Sequence, residues 1–180
     1  MPAPNPSRIP VALIEDDVPY RHFIADLLTA SGRFAIAAQA GSIEEASSWP
    51  ADPAPTLCLV DIGLPHAPGT AGIQPLMKKF PGLAVIMLTA RNADDSLLES
   101  IKAGAVGYVL KGTDSADLID ALDDALNGVA PMSPAIARRV LALMRESTAP
   151  GRVAPPANLP ALTTREHQVI ALVAAGATDK

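Results

Sequence analysis

Three carboxylates and one ammonium group stand where short apolar runs of this sequence stop. The run IPVALI is followed by Glu15 and Asp16, the run LCLV by Asp61, and the run at 106–110 by Lys111. Short apolar runs that stop at polar residues are typical of buried parallel strands, whose carboxyl ends share one edge of a sheet. Because ligands bind outside that edge, we expect these side chains to converge on one site.

The residue types at this edge favour divalent-metal and phosphoryl chemistry. Three neighbouring carboxylates repel one another, and a hard divalent cation such as Mg²⁺ relieves that repulsion. Lys111 adds a compact positive charge that suits a phosphate. Thr89, at the end of another apolar run, has a hydroxyl that can donate to a phosphoryl oxygen. We therefore predict Mg²⁺ binding and acceptance of a phosphoryl group on one aspartate.

Strands and helices alternate along the part of the chain that would position these residues. The predicted strands are Ile9–Ile14, Phe34–Ala40, Leu57–Val60, Leu83–Leu88 and Val106–Leu110. Amphipathic segments predict helices around Phe23–Leu28, Ala46, Leu76–Phe80, Leu97–Ala103 and Leu118–Leu126. We expect Pro75 to delay or kink the third helix. This alternation predicts a doubly wound α/β domain with a five-stranded parallel sheet over residues 8–128.

A different pattern follows that domain. Ser133 is expected to cap, and Pro134 to open, a further helix. The apolar positions expected on one side of this helix are Ile136, Val140, Leu141 and Met144. Residues 148–160 are rich in proline and alanine, which predicts an extended, semi-rigid linker. A last helix, with Thr163 and Glu166 as its cap, is predicted within residues 162–180.

Composition excludes several classes of protein. With 180 residues, 49% of them hydrophobic and 18% charged, the chain can bury a large core and is not disordered throughout. Its 14 Lys and Arg against 19 Asp and Glu give a net charge of −5, so contact with DNA requires a local basic surface. Cys58 is the single cysteine, which excludes an internal disulfide. We see neither a signal peptide nor a membrane span and predict a cytoplasmic protein.

Four short segments carry a resemblance to a known family. ALIEDD, LVDIGLP, VIMLTA and GYVLKG, in this order, resemble the receiver domain of bacterial two-component response regulators. The spacing from Thr89 to Lys111 also matches that family. The resemblance covers about residues 8–128 and implies a flavodoxin-like, CheY-like fold, in which phosphorylation of an aspartate serves as a signal.

The resemblance assigns roles around the metal. Asp61 is implied as the phosphoacceptor and as one metal ligand. Glu15 and Asp16 correspond to the acidic pair that binds Mg²⁺, and Gly63 is implied to offer its backbone carbonyl to the same ion. Asp17 lies one place beyond the pair, and we expect it to start the following helix instead.

The resemblance also implies a switch and partners for it. Thr89 corresponds to the switch hydroxyl, Lys111 to the phosphate partner, and Tyr108 to the aromatic residue that turns inward after phosphorylation. A sensor histidine kinase is the implied phosphoryl donor. We expect phosphorylation to favour a homodimer, and we expect no membrane partner.

A second resemblance lies in the tail. LTTREHQVIALVAAGATDK resembles the opening of a LuxR-type helix-turn-helix domain of the NarL/FixJ class, and PMSPAIARRVL resembles the linker helix of that class. The chain then divides into a receiver (8–128), a linker with a helix (129–160) and an incomplete, all-α DNA-binding segment (161–180). Because the sequence stops before a helix that would enter the major groove, we expect DNA binding by the full-length protein but not by this truncated chain.

The leading hypothesis is a phosphorylation-controlled transcription regulator that is not itself an enzyme. A stand-alone receiver that acts by protein–protein interaction is the first alternative, and the LuxR-like tail argues against it. A phosphatase with an aspartyl nucleophile needs a second aspartate two residues later, where this chain has Gly63. A flavodoxin-like FMN binder would have its phosphate repelled by three acids.

Overall fold

A computed structural model describes residues 8–89 and 94–148 of the chain. The strands are β1 (Ile9–Ile14), β2 (Phe34–Ala40), β3 (Leu57–Asp61), β4 (Ala84–Thr89) and β5 (Gly107–Leu110). The helices are α1 (Val18–Ala30), α2 (Ile43–Ser47), α3 (Thr70–Lys79), α4 (Asp94–Ala103), α5 (Ser115–Leu126) and α6 (Pro134–Thr148). The alternation of strands and helices that the sequence predicts is therefore confirmed, with bounds that differ by a few residues.

The five strands form one parallel sheet in the order β2-β1-β3-β4-β5. This is the flavodoxin-like order, in which the chain reverses direction across the sheet between β1 and β3. Helices that leave neighbouring strands on opposite sides open a crevice at that point. Glu15 and Asp16 follow β1, and Asp61 ends β3, so the predicted acidic residues border the crevice.

Two apolar layers cover the sheet, one on each face. Alternate residues of β1 face opposite layers: Leu13 lies in the layer of α1 and α5, and Ile14 in the layer of α2, α3 and α4. All side chains of β3 are buried, which is why its sequence is a continuous apolar run rather than an alternating one.

Helix α3 begins six residues before the segment expected at Leu76–Phe80, and Pro75 lies inside it. The expected delay at Pro75 is therefore wrong. Pro75 cannot donate a backbone hydrogen bond to the preceding turn. The helix forms nonetheless because Ile73 and Leu76 are buried in the core, and tertiary packing outweighs the local preference.

Helix α6 begins as predicted, since the Ser133 hydroxyl accepts the Ile136 N–H at 3.3 Å. Its apolar face differs from the expected one. Ile136, Val140 and Leu143 pack against the layer of α2, α3 and α4, whereas Leu141 and Met144 are about half exposed. The Pro131 carbonyl accepts the Tyr108 N–H at 2.8 Å, which ties the segment before α6 to the free edge of β5.

The predicted helix within 162–180, including Thr163 and Glu166, and most of the predicted linker lie outside the described residues. Among the helices within residues 8–89 and 94–148, none combines the length and hydropathy needed to cross a lipid bilayer.

Candidate functional site

The ends of four strands place the predicted site residues at one edge of the sheet. Glu15 follows β1 directly and is fully buried, and its backbone N–H donates to the Ala40 carbonyl of β2 at 3.0 Å. Asp61 and Thr89 are the last residues of β3 and β4, and both are buried. Lys111 follows β5, and its N–H donates to the Thr89 carbonyl at 2.9 Å. The convergence expected from the sequence is therefore present in the structure.

The Lys111 ammonium group bridges two of the buried carboxylates. Its Nζ atom donates to Oε1 of Glu15 at 2.8 Å and lies 2.9 Å from Oδ2 of Asp61. It also lies 2.7 Å from Oε2 of Glu15, in a geometry that makes no hydrogen bond. Charge-assisted contacts of this length are strong because the carboxylates are shielded from water.

The ionisation of Glu15 and Lys111 reflects their burial and their mutual contact. Burial raises the pKa of Glu15, and the nearby charge of Asp61 adds to that effect, while the hydrogen bond from Lys111 opposes it. Burial alone would lower the pKa of Lys111, but its hydrogen bonds with Glu15 and Asp61 raise it above the ordinary value. Lys111 is therefore a permanent cation at physiological pH.

The donor set fits a hard divalent cation. Glu15, Asp16 and Asp61 each offer a carboxylate oxygen, and these three oxygens lie within 4.8 Å of one another. Oε2 of Glu15 is buried and accepts no hydrogen bond, so it retains the capacity to bind a cation. Lys111 contacts two of these three carboxylates, Glu15 and Asp61, which leaves an excess of negative charge that Mg²⁺ would balance.

The neighbours of the acidic residues also have defined positions. The Gly63 N–H donates to Oδ1 of Asp61 at 3.1 Å, which fixes the orientation of that carboxylate. The Asp17 side chain accepts the Tyr20 N–H at 3.0 Å and is the N-cap of α1. The interpretation of Asp17 as a helix-starting residue is therefore confirmed.

Tyr108 is buried in the layer that α4 covers. Its hydroxyl donates to the Leu97 carbonyl at 2.8 Å and is hydrogen-bonded to the Ser100 hydroxyl. Burial raises its pKa, so the phenol stays protonated at physiological pH. This inward position is the one that the family resemblance implies for the phosphorylated state. Whether the side chain moves on phosphorylation stays a prediction.

Three further residues contact the predicted site residues and were not identified from the sequence: Tyr20, Arg21 and Ser100. Arg21 donates to the backbone carbonyl of Glu15 at 2.5 Å, and Tyr20 lies beside Lys111. The sequence position of Tyr20 and Arg21 could have indicated their proximity to the site, because both lie in the first turn of the helix that follows the acidic pair. Ser100 could not be identified, because a serine within a helix has no pattern that predicts a tyrosine partner.

A parallel sheet of this order, with acids and a lysine at the carboxyl ends of its strands, defines a receiver of the response-regulator class. The sequence matches the response regulator receiver domain family over residues 11–123, which is more than half of the chain. The chain belongs to this family.

Relatives and solved structures agree with that assignment. The DNA-binding transcriptional activator DevR/DosR of Mycobacterium tuberculosis is 28% identical over 172 residues, covering 96% of this chain and 77% of its own length. The nitrate/nitrite response regulator NarL of Escherichia coli is 25% identical, covering 94% and 77%. A LuxR-family response regulator from Aurantimonas has a TM-score of 0.68 at 25% identity, covering 77% of this chain and 99% of that one.

Asp16 and Asp17 are expected to have different roles, although they are adjacent acids. Asp16→Ala removes a proposed metal ligand, so we expect Mg²⁺ affinity to fall at least about tenfold with little change in stability. Asp17→Ala removes the α1 cap, so we expect unchanged Mg²⁺ affinity and a free energy of unfolding lower by about 1 kcal/mol. Calorimetric Mg²⁺ titration and urea unfolding of both variants check this. Equal losses of Mg²⁺ affinity would show that the acidic pair is misplaced.

Proposed function

We propose that Asp61 accepts a phosphoryl group from a sensor histidine kinase, with Mg²⁺ held by Glu15, Asp16, Asp61 and the Gly63 carbonyl. The observation that carries the proposal is the bridge between Lys111 and Asp61 beside a second buried carboxylate. A structural ion pair needs one acid, whereas this cation is shared by two acids, and a third, Asp16, offers an oxygen within 4.8 Å of theirs. Such an excess of negative charge at a sheet edge suits a metal and a transferred phosphoryl group.

In the proposed reaction, a carboxylate oxygen of Asp61 attacks phosphorus. The O–P bond forms as the N–P bond of the kinase phosphohistidine breaks, and the released imidazole recovers its electron pair and takes a proton. The Gly63 N–H and the Lys111 ammonium group keep the carboxylate oriented. The metal supplies electrostatic stabilisation of the phosphoryl oxygens when it is bound.

After transfer, the phosphoryl oxygens need more hydrogen-bond donors than the free carboxylate of Asp61 did. Lys111 is already 2.9 Å from Oδ2 of Asp61, so a small displacement brings its ammonium group to a phosphoryl oxygen. Thr89, at the end of the neighbouring strand, is the second proposed donor and the switch residue. Because Lys111 and Thr89 are joined through their backbones, movement of one strand end is coupled to the other.

The proposed output is control of transcription. DevR/DosR is named as a transcriptional activator and NarL as a response regulator, and both align with more than nine-tenths of this chain. We propose that phosphorylation favours a homodimer, that the full-length protein binds DNA through a LuxR-type domain over and beyond residues 161–180, and that it acts in the cytoplasm. The segment before α6 is hydrogen-bonded to the outer edge of β5, so the start of this helix is attached to the sheet of the receiver.

Phosphorylation of the wild-type chain tests the proposal. We expect incubation with acetyl phosphate and Mg²⁺ to add one phosphoryl group per chain, measured by intact mass. Chelation of Mg²⁺ with EDTA is expected to slow the incorporation at least about a hundredfold, because the carboxylates would then repel the donor. Metal-independent incorporation, or none at all, would contradict the proposed function.

A further inference from the structure

We propose that Tyr20 is a positioning residue of the phosphoryl site, which holds the Lys111 ammonium group in place through the face of its ring. This inference rests on the proposed function of Asp61, because it concerns the cation that serves the transferred phosphoryl group.

The ring of Tyr20 covers one side of the Lys111 head group. Nζ of Lys111 lies 5.2 Å from the centroid of the ring, within the range of a cation–π contact. Glu15 and Asp61 contact the same ammonium group. The Lys111 side chain is 26% exposed, so water competes for a cation on a flexible four-carbon stem. The aromatic face restricts where that cation can move.

The hydroxyl of Tyr20 lies toward the loop after Lys111. Burial raises the pKa of Tyr20 and the nearby backbone N–H of Gly112 opposes that rise, and Gly112 follows Lys111 directly at a φ of +85°. Tyr20 is itself fixed at its backbone, because its N–H is bonded to the Asp17 cap. The first turn of α1 thus lies beside the residue that follows β5, and both border the site.

Phe23 supports this arrangement from the outer side. It is one of the apolar positions that predict α1, yet it is 52% exposed rather than buried in the core. Its ring stacks on Tyr20, with centroids 6.1 Å apart and an interplanar angle of 30°. An exposed aromatic side chain that packs on another aromatic ring limits the rotamers of that ring. The position of Phe23 is thereby explained by Tyr20 rather than by the core.

Phosphoryl transfer requires Lys111 to pass from a carboxylate oxygen of Asp61 to a phosphoryl oxygen. The first position lies beside Tyr20, and a small displacement separates it from a phosphoryl group on Asp61, so the ring keeps the cation near the site during the exchange. The effect of Tyr20 on the rate should therefore depend on Lys111. A residue that acted only on the stability of the fold would slow the reaction whether or not Lys111 were present.

Two substitutions of Tyr20 distinguish the effect of its ring on the rate from the effect of its hydroxyl. Tyr20→Phe keeps the aromatic face and loses only the hydroxyl, whereas Tyr20→Leu loses both. With acetyl phosphate and Mg²⁺, we expect Tyr20→Leu to slow phosphoryl incorporation about tenfold and Tyr20→Phe to stay within about threefold of wild type, measured by intact mass. Tyr20→Met is a second variant without a ring, with the same expectation, should the leucine variant fold poorly.

A double-mutant cycle with Lys111→Met completes the test. We expect Tyr20→Leu to cause no further slowing when Lys111 is absent. Equal rates for wild type and Tyr20→Leu, or the same slowing in the Lys111→Met background, would overturn the proposal. Failure of the wild type itself to take up a phosphoryl group would instead overturn the proposed function of Asp61, so the two failures are distinguishable.

Discussion

Asp61→Asn is expected to abolish phosphoryl incorporation, with a rate at least about a hundredfold below that of wild type. The amide has the shape of the carboxylate but is uncharged and a poor nucleophile. It can still accept the Gly63 N–H that orients Asp61, so the strand end keeps its geometry. Intact mass after incubation with acetyl phosphate and Mg²⁺ gives the rate.

Asp120→Asn is the matched control, since Asp120 is exposed on α5 and away from the strand ends. This variant should incorporate one phosphoryl group as wild type does. Similar incorporation in Asp61→Asn and wild type would show that another residue accepts the group. Thermal unfolding of all three proteins establishes that the loss is chemical rather than structural.

Lys111→Met is expected to lower the free energy of unfolding by about 3 kcal/mol at pH 7 in the absence of Mg²⁺. The substitution leaves two buried carboxylates, Glu15 and Asp61, without their shared cation. Lys78→Met, on the exposed face of α3, is the control and should change stability by less than about 0.5 kcal/mol. Urea unfolding of both variants measures the difference.

The loss of unfolding free energy in Lys111→Met should depend on pH in a defined direction. Burial already raises the pKa of Glu15 above 4.5, and removing Lys111 takes away the hydrogen bond that opposes this rise. A carboxyl whose pKa is raised on folding destabilises the protein above its unfolded pKa, and this penalty disappears as the group is protonated. The deficit of Lys111→Met should therefore shrink as the pH falls from 7 toward 4.5. A deficit that grew on acidification would contradict this account of Glu15.

The sheet and its site were predictable because one physical rule governs both. A strand buried on both faces has an apolar sequence, and it stops where the chain reaches the polar edge. Asp61 and Thr89 are therefore visible in the sequence as strand ends, and Lys111 as the residue after one. Parallel pairing then brings these distant positions together, without any knowledge of the side-chain contacts.

The errors arose where tertiary packing decided the outcome. Pro75 is a poor helix residue by local preference, but the burial of Ile73 and Leu76 holds α3 together around it. In α6, Leu141 and Met144 were expected on the buried side but are about half exposed. The apolar character of a residue does not show how much of the helix surface packs against the receiver. The contact surface, which a sequence does not display, determines which of these residues is buried.

Tyr20 shows a further limit of the sequence. Its distance from Lys111 depends on the crossing of α1 over the sheet and on the turn at Gly112. Neither feature follows from periodicity or from a motif. The residue types proposed for the reaction were predictable, whereas the aromatic residue proposed to orient one of them required the structure.

Localisation of the phosphoryl group tests the central claim most directly. The wild-type chain is phosphorylated with acetyl phosphate and Mg²⁺, and the acyl phosphate is reduced with borohydride, which converts a phosphorylated aspartate to homoserine. Peptide mass spectrometry then identifies the converted position. Homoserine at position 61 and at no other aspartate is the predicted result. Conversion at Asp16, Asp17 or another aspartate, with Asp61 intact, would contradict the assignment of Asp61 as the phosphoacceptor.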